Sequence, residues 1–93
     1  MGKKSKITLL DYLLAFPNPA SDELHLRFVL NTRQLVNVEI YDTNGRLISQ
    51  SNHGLMVPAE HDIPIDLSQW ERGLYLLKFR AGSHQISKKI IVN

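Results

Sequence analysis

Hydrophobic and polar positions alternate along most of this chain. Glu23-Leu24-His25-Leu26-Arg27-Phe28 switches polarity at every step, which predicts a half-buried strand with Leu24, Leu26 and Phe28 inward. Val36-Asn37-Val38-Glu39-Ile40-Tyr41 repeats the pattern, and β-branched residues dominate its inner face. Asp42-Thr43-Asn44-Gly45 then reads as a tight turn, because the Asp side chain bonds the backbone ahead of it and Gly45 accepts a positive φ. Arg46 to Gln50 returns as the partner strand of a hairpin.

The stretch from Ser51 to His61 is polar and carries Gly54 and Pro58, which predicts a loop with a short strand around Leu55 to Val57. Ile63, Ile65 and Leu67 alternate again, and Pro64 limits that strand to a sheet edge or a short ladder. Leu67 to Gly73 reads as one helical turn closed by glycine, with Trp70 over the open end of the core. Leu74 to Arg80 and His84 to Val92 are strands joined by a turn at Ala81-Gly82-Ser83. Lys88 shares a parity with Ile86, Ile90 and Val92 and so interrupts an apolar face, as suits an edge strand.

The start of the chain is less regular. Ile7, Leu10 and Leu14 fit one helical face, whereas Tyr12, Leu14 and Phe16 fit one strand face. Pro17 disfavours helix at Phe16, so a strand from about Tyr12 to Phe16 is expected. Counting it, about seven short strands are separated by turn signals. That is the pattern of an all-β antiparallel sandwich.

At 93 residues the chain fits one domain. With 11 basic and 9 acidic residues, its charge is too balanced to argue for nucleic acid. The absence of cysteine excludes thiol catalysis, disulfides and thiolate metal sites. Lys3, Lys4 and Lys6 ahead of Ile7-Thr8-Leu9-Leu10 resemble the start of a signal peptide. Asp11 breaks the apolar run, however, and no small-x-small cleavage site follows. Residues 1–11 are therefore expected to be linker, tag or the end of an upstream region. Residues 12–93 form the domain, and no stretch has the length of a transmembrane helix.

Catalytic chemistry needs converging titratable groups, and none is legible. His25, His53, His61 and His84 lack metal-site spacing and read as four unrelated surface histidines. No G-x-S-x-G is present. Asp62 with Asp66, and Asp22 with Glu23, give no sign of converging. Asp42-x-Asn44-Gly45 lacks the later acidic ligands of a calcium loop. Phe28 and Phe79 fall on apolar parities, while Tyr41 and Tyr75 are the aromatics expected to be partly exposed. No catalytic residue, cofactor or metal is expected.

Four segments occur in a telling order. They are Phe16-Pro17-Asn18-Pro19-Ala20-Ser21-Asp22-Glu23-Leu24, Val38 to Leu47, Ile65-Asp66-Leu67-Ser68 followed by Gly73 to Lys78, and Ser87 to Val92. Together they resemble the type A C-terminal sorting domain of the type IX secretion system of Bacteroidetes. The resemblance implies an immunoglobulin-like sandwich at the end of a larger cargo protein. It also implies passage through the periplasm, recognition by an outer-membrane translocon and removal by a sortase-like cysteine peptidase. The cargo is then secreted or held at the cell surface. The family's motif residues fall on Pro17, Asn18, Pro19, Gly45, Gly73, Tyr75, Lys88 and Lys89. The competing class is an adhesin or carbohydrate-binding module on a similar sandwich, which would need an exposed aromatic platform.

Overall fold

The computed structural model describes residues 13–93. Seven strands follow in order: β1 Leu13–Phe16, β2 Glu23–Leu30, β3 Gln34–Tyr41, β4 Leu47–Met56, β5 Ala59–Asp66, β6 Gly73–Ala81 and β7 His84–Val92. They form a three-stranded sheet, β1-β2-β5, and a four-stranded sheet, β4-β3-β6-β7. Every strand-to-strand pairing within the two sheets is antiparallel. The expected residues 1–11 segment, and Tyr12, lie outside the described residues.

Leu24, Leu26, Phe28 and Leu30 from β2 meet Val36, Val38 and Ile40 from β3 and Leu77 and Phe79 from β6, all buried. Phe28 and Phe79 come from opposite sheets, with ring centroids 4.7 Å apart at 58°. This tilted contact suits aromatic quadrupoles and ties the two layers together. The alternation in the sequence therefore corresponds to one buried face on each sheet.

Pro64 lies on β5, which pairs with β2 alone, so its missing N–H costs no ladder bond on the open side. Lys88 lies on β7, the outer strand of the larger sheet.

Three local expectations change. The segment expected as a loop, Ser51 to His61, is mostly strand: β4 runs on to Met56 and β5 starts at Ala59. The extension pairs with β3 through a register shift between Val36 and Asn37, and polar side chains are tolerated because β4 is an edge. Leu67 to Gly73, expected as one helical turn closed by glycine, is a hydrogen-bonded turn without helix: the Trp70 N–H donates to the Leu67 carbonyl at 2.9 Å, and β6 begins at Gly73. In β1 the core-facing parity is Leu13 and Ala15, while Leu14 is 45% exposed.

After β1 the chain changes sheets. Ala20 forms a parallel bridge with Val92, donating its N–H to the Ile91 carbonyl at 2.8 Å and accepting from the Asn93 N–H at 2.7 Å. A first strand that pairs antiparallel in one sheet and then parallel against the last strand of the other is an immunoglobulin-like arrangement.

Candidate functional site: the corner where β1, β6 and β7 meet

The Pro17-Asn18-Pro19 run crosses from one sheet to the other at the end of β7. Proline at both flanks removes two N–H donors and fixes two φ angles, which leaves Asn18 as the polar group that can satisfy the neighbouring edge. Its side chain does so twice. The Nδ2 amide donates to the Lys89 carbonyl at 3.0 Å, and the Oδ1 oxygen accepts from the Ile91 N–H at 3.0 Å. An amide group has one donor end and one acceptor end, so it copies the hydrogen-bond pattern of a passing strand. With the Ala20 pairing, the outer edge of β7 from Lys89 to Asn93 is occupied by the chain itself.

Gly45 holds φ at 81°, a left-handed conformation that a side chain would strain. It closes the β3–β4 turn, in which the Asp42 Oδ1 accepts from the backbone N–H groups of Asn44 and Arg46, each at 2.9 Å. The Arg46 backbone N–H chiefly holds the Asp42 carboxyl below its ordinary value, aided by the Arg46 guanidinium at 2.9 Å. That charge is spent within the turn.

Gly73 opens β6 opposite Val92. Tyr75 is buried rather than partly exposed. Its ring packs on Trp70 at 5.1 Å, and its hydroxyl donates to the Glu71 carbonyl at 2.6 Å. The tyrosine thus ties the Leu67–Gly73 turn to the core. Lys89 is exposed on the outer face opposite Leu76, whereas Lys88 is half-buried on the inner parity opposite Leu77.

Gly45, Tyr75 and Lys89, distant in sequence, line one groove of about 470 Å³ together with Tyr41, Leu74, Leu76 and Lys78. Its floor is apolar: Leu74 is 43% exposed and faces Ile91, 44% exposed, across the β6–β7 ladder. The Lys78 Nζ sits 5.0 Å above the Tyr41 ring, within cation–π range. The Tyr41 hydroxyl donates to Glu39 at 2.9 Å, and this bond raises its pKa. Glu39 also faces Arg80 at 3.7 Å. Among the described residues, the ion pairs use arginine and histidine, so Lys78, Lys88 and Lys89 have no carboxylate partner.

Leu74, Leu76 and Lys78 are groove residues that the motifs in the sequence do not mark, whereas Tyr41 is one of the two aromatics expected to be partly exposed. A signal for them existed, because β6 is apolar on both parities at Leu74-Tyr75-Leu76-Leu77. A strand with one solvated face has no physical need for Leu74 and Leu76.

A second cluster lies on the outer face of the smaller sheet. The β2–β5 register places Asp62 beside His25 and Arg27. His25 Nδ1 is 2.9 Å from Asp62 and Nε2 is 3.0 Å from Glu23, while Arg27 reaches Asp62 at 3.2 Å. The Phe16 ring stacks on His25 at 5.6 Å. His25 is therefore not an unrelated surface histidine: Glu23 and Asp62, one from each of the two acidic pairs in the sequence, meet on its imidazole. The hydrogen bond to Asp62 chiefly raises the His25 pKa above its ordinary value, and the same bond lowers that of Asp62. Among the described residues no group of histidines and carboxylates has the geometry of a metal site.

The fold and its linked corner define a small immunoglobulin-like sandwich module whose last strand is tied to its first crossing. A family described as the secretion system C-terminal sorting domain matches residues 14–93, and the chain belongs to that family. Its class of function is that of a C-terminal sorting signal of type IX secretion, which directs protein to the cell surface or beyond.

Among solved structures, dimeric latent PorU from Porphyromonas gingivalis contains a region similar to this chain. The TM-score is 0.69 at 26% identity, covering 86% of this chain and 9% of PorU. The likeness thus concerns a small part of that protein. The CARDB domain of the PF1109 protein from Pyrococcus furiosus, solved with di-metal ions, matches at TM-score 0.48 and 13% identity, over 86% of this chain and 87% of that one. No curated protein sequence matches.

Proposed function

We propose that residues 12–93 are the sorting signal of a larger cargo protein, with residues 1–11 belonging to the connection upstream. The cargo crosses the periplasm, and the outer-membrane translocon of the type IX system then binds this domain. A sortase-like cysteine peptidase removes it, so the domain is a peptidase substrate with no catalytic role of its own. Pro17, Asn18, Pro19, Gly45, Gly73 and Tyr75 build the surface that is bound, and Lys88 and Lys89 give it charge.

The observation that carries this reading is convergence. Asn18 holds the Lys89 carbonyl, and Gly45, Tyr75 and Lys89 line one groove. Residues that served the fold alone would have no need to meet at one corner beside lysines that form no ion pair among the described residues.

The test is export of a periplasmic reporter fused ahead of this chain, in a Bacteroidetes host carrying the type IX system. The reporter should reach the medium, and deletion of Lys88 to Asn93 should retain it in the periplasm. Circular dichroism of the purified truncated fusion separates lost recognition from lost folding. Export of a folded truncated fusion at the wild-type level would refute a role for the terminal strand.

A further inference from the structure

The groove on the outer face of the four-stranded sheet has a definite chemical character. Tyr41, Leu74 and Leu76 make an apolar floor, and Lys78 and Lys89 stand along it. Cross-strand register fixes this layout: Tyr41 faces Leu76, Leu76 faces Lys89, and Glu39 faces Lys78. The one acidic residue in the lining is Asp42, whose carboxylate is bound by its own turn and by Arg46. Glu39, the nearest other carboxylate along the sheet, is engaged by Tyr41 and Arg80. The two ammonium groups are therefore left without counter-charge from the described residues, beside apolar surface that a monomer would ordinarily cover.

We propose, building on the sorting-signal reading, that this groove binds an extended acidic and apolar peptide segment of a partner protein. An apolar side chain lies on Leu74 and Leu76, and a neighbouring carboxylate lies between Lys78 and Lys89. Alternating side chains of an extended segment suit this layout, since one residue enters the groove while the next reaches its rim. An anionic membrane surface fits less well. Lipid recognition by charge uses clusters of about four to eight basic residues, and this groove offers two. The apolar floor is also walled on one side by the Asp42–Gly45 turn.

The Asn18 contact gives the groove its rigidity. By holding the Lys89 carbonyl and the Ile91 N–H, it fixes the strand that carries one of the two charges. Preorganisation of this kind lowers the ordering cost of binding.

The experiment is an amide chemical-shift titration of the full chain with three probes. These are a capped peptide of alternating leucine and glutamate, its leucine–lysine counterpart, and vesicles of anionic phospholipid. The expected result is saturable shifts at Leu74, Leu76, Lys78 and Lys89 with the leucine–glutamate peptide alone. The double variant Lys78→Glu/Lys89→Glu should weaken that binding by about tenfold or more and take up the leucine–lysine peptide instead. Lys78→Gln/Lys89→Gln, which removes charge without reversing it, should weaken binding for the first peptide and gain none for the second.

Shifts centred away from the groove, equal response to both peptides, or response to vesicles alone would overturn the inference. Export of the reporter fusion separates the two levels. An exported wild-type fusion with unaltered export in both lysine double variants would overturn the groove while leaving the sorting role. A fusion that is never exported, with selective peptide binding intact, would overturn the sorting role and leave the groove.

Discussion

The side chain of Asn18 holds the backbone of Lys89 across 71 positions of sequence, through a 3.0 Å bond to its carbonyl, and completes the grip on the Ile91 N–H. Each bond is exposed, and net contributions of single hydrogen bonds fall near 0.5–1.5 kcal/mol. Asn18→Ala should therefore cost about 1–2 kcal/mol and lower the thermal midpoint by roughly 4–16 °C in a domain of this size. Amide hydrogen exchange adds a local check: the Ile91 N–H should exchange faster in the variant, with little change at Leu77. Asn18→Asp keeps the acceptor and loses the donor, so it should protect Ile91 more than alanine does. Equal protection of Ile91 in all three proteins would show that the side chain does not hold β7.

The His25 cluster predicts how stability depends on pH. The His25 pKa is raised, mainly by its bond to Asp62, so its contribution is full below the ordinary value near 6.5. It is lost as pH climbs through the raised folded-state value. Asp62 has the opposite sign: its pKa is lowered, mainly by His25, so its contribution is present above the ordinary 3.8 and is lost as pH falls through the lowered value. Urea midpoints should therefore decline as pH rises from the ordinary value near 6.5 through the raised folded-state value of His25, and His25→Gln should flatten that decline. An unchanged slope in the variant would remove His25 as its source.

Tyr75 gives a cleaner single-atom test. Its hydroxyl donates to the Glu71 carbonyl at 2.6 Å, and its ring touches Trp70. Tyr75→Phe keeps the ring and leaves that carbonyl without its donor, which should cost about 1–2 kcal/mol in denaturant unfolding. Tryptophan fluorescence reports on the site directly, because Trp70 is the sole tryptophan. Its emission should shift as the Leu67–Gly73 turn loosens. Loss of stability with unaltered emission would place the effect elsewhere.

Two strands that bury one face were legible from alternation alone: β2 and β3 lie where the period placed them, while β6, apolar on both parities, stood out as an apolar run between Gly73 and the Ala81-Gly82-Ser83 turn. β4 was harder to see. Ser51, Asn52 and His53 are polar on both parities, and Gly54 follows, so the two-residue period had no apolar face to report. The backbone ladder to β3 makes the strand there, and a ladder leaves no mark on side-chain polarity. In β1, four residues were too few for the pattern to choose which parity faced the core.

The candidate site divides the same way. Glycine at a positive φ and proline before a strand carry their own physical signature, so Gly45 and the Pro17-Asn18-Pro19 run stood out. The meeting of Asn18 with Lys89 depends on the sheet-to-sheet crossing and has no local trace. Glu23, His25 and Asp62 are joined by a cross-strand register that composition does not encode.

The corner built by Asn18, β6 and β7 is the surface we propose the secretion machinery binds, and Lys89→Glu tests this most directly. Lys89 is exposed, forms no ion pair among the described residues, and holds Asn18 through its backbone, so reversing its charge leaves the fold's contacts in place. The measurement is the fraction of a fused reporter reaching the medium, for wild type and variant with matched thermal midpoints. Most of the variant should stay in the periplasm. Export at the wild-type fraction by the folded variant would contradict it.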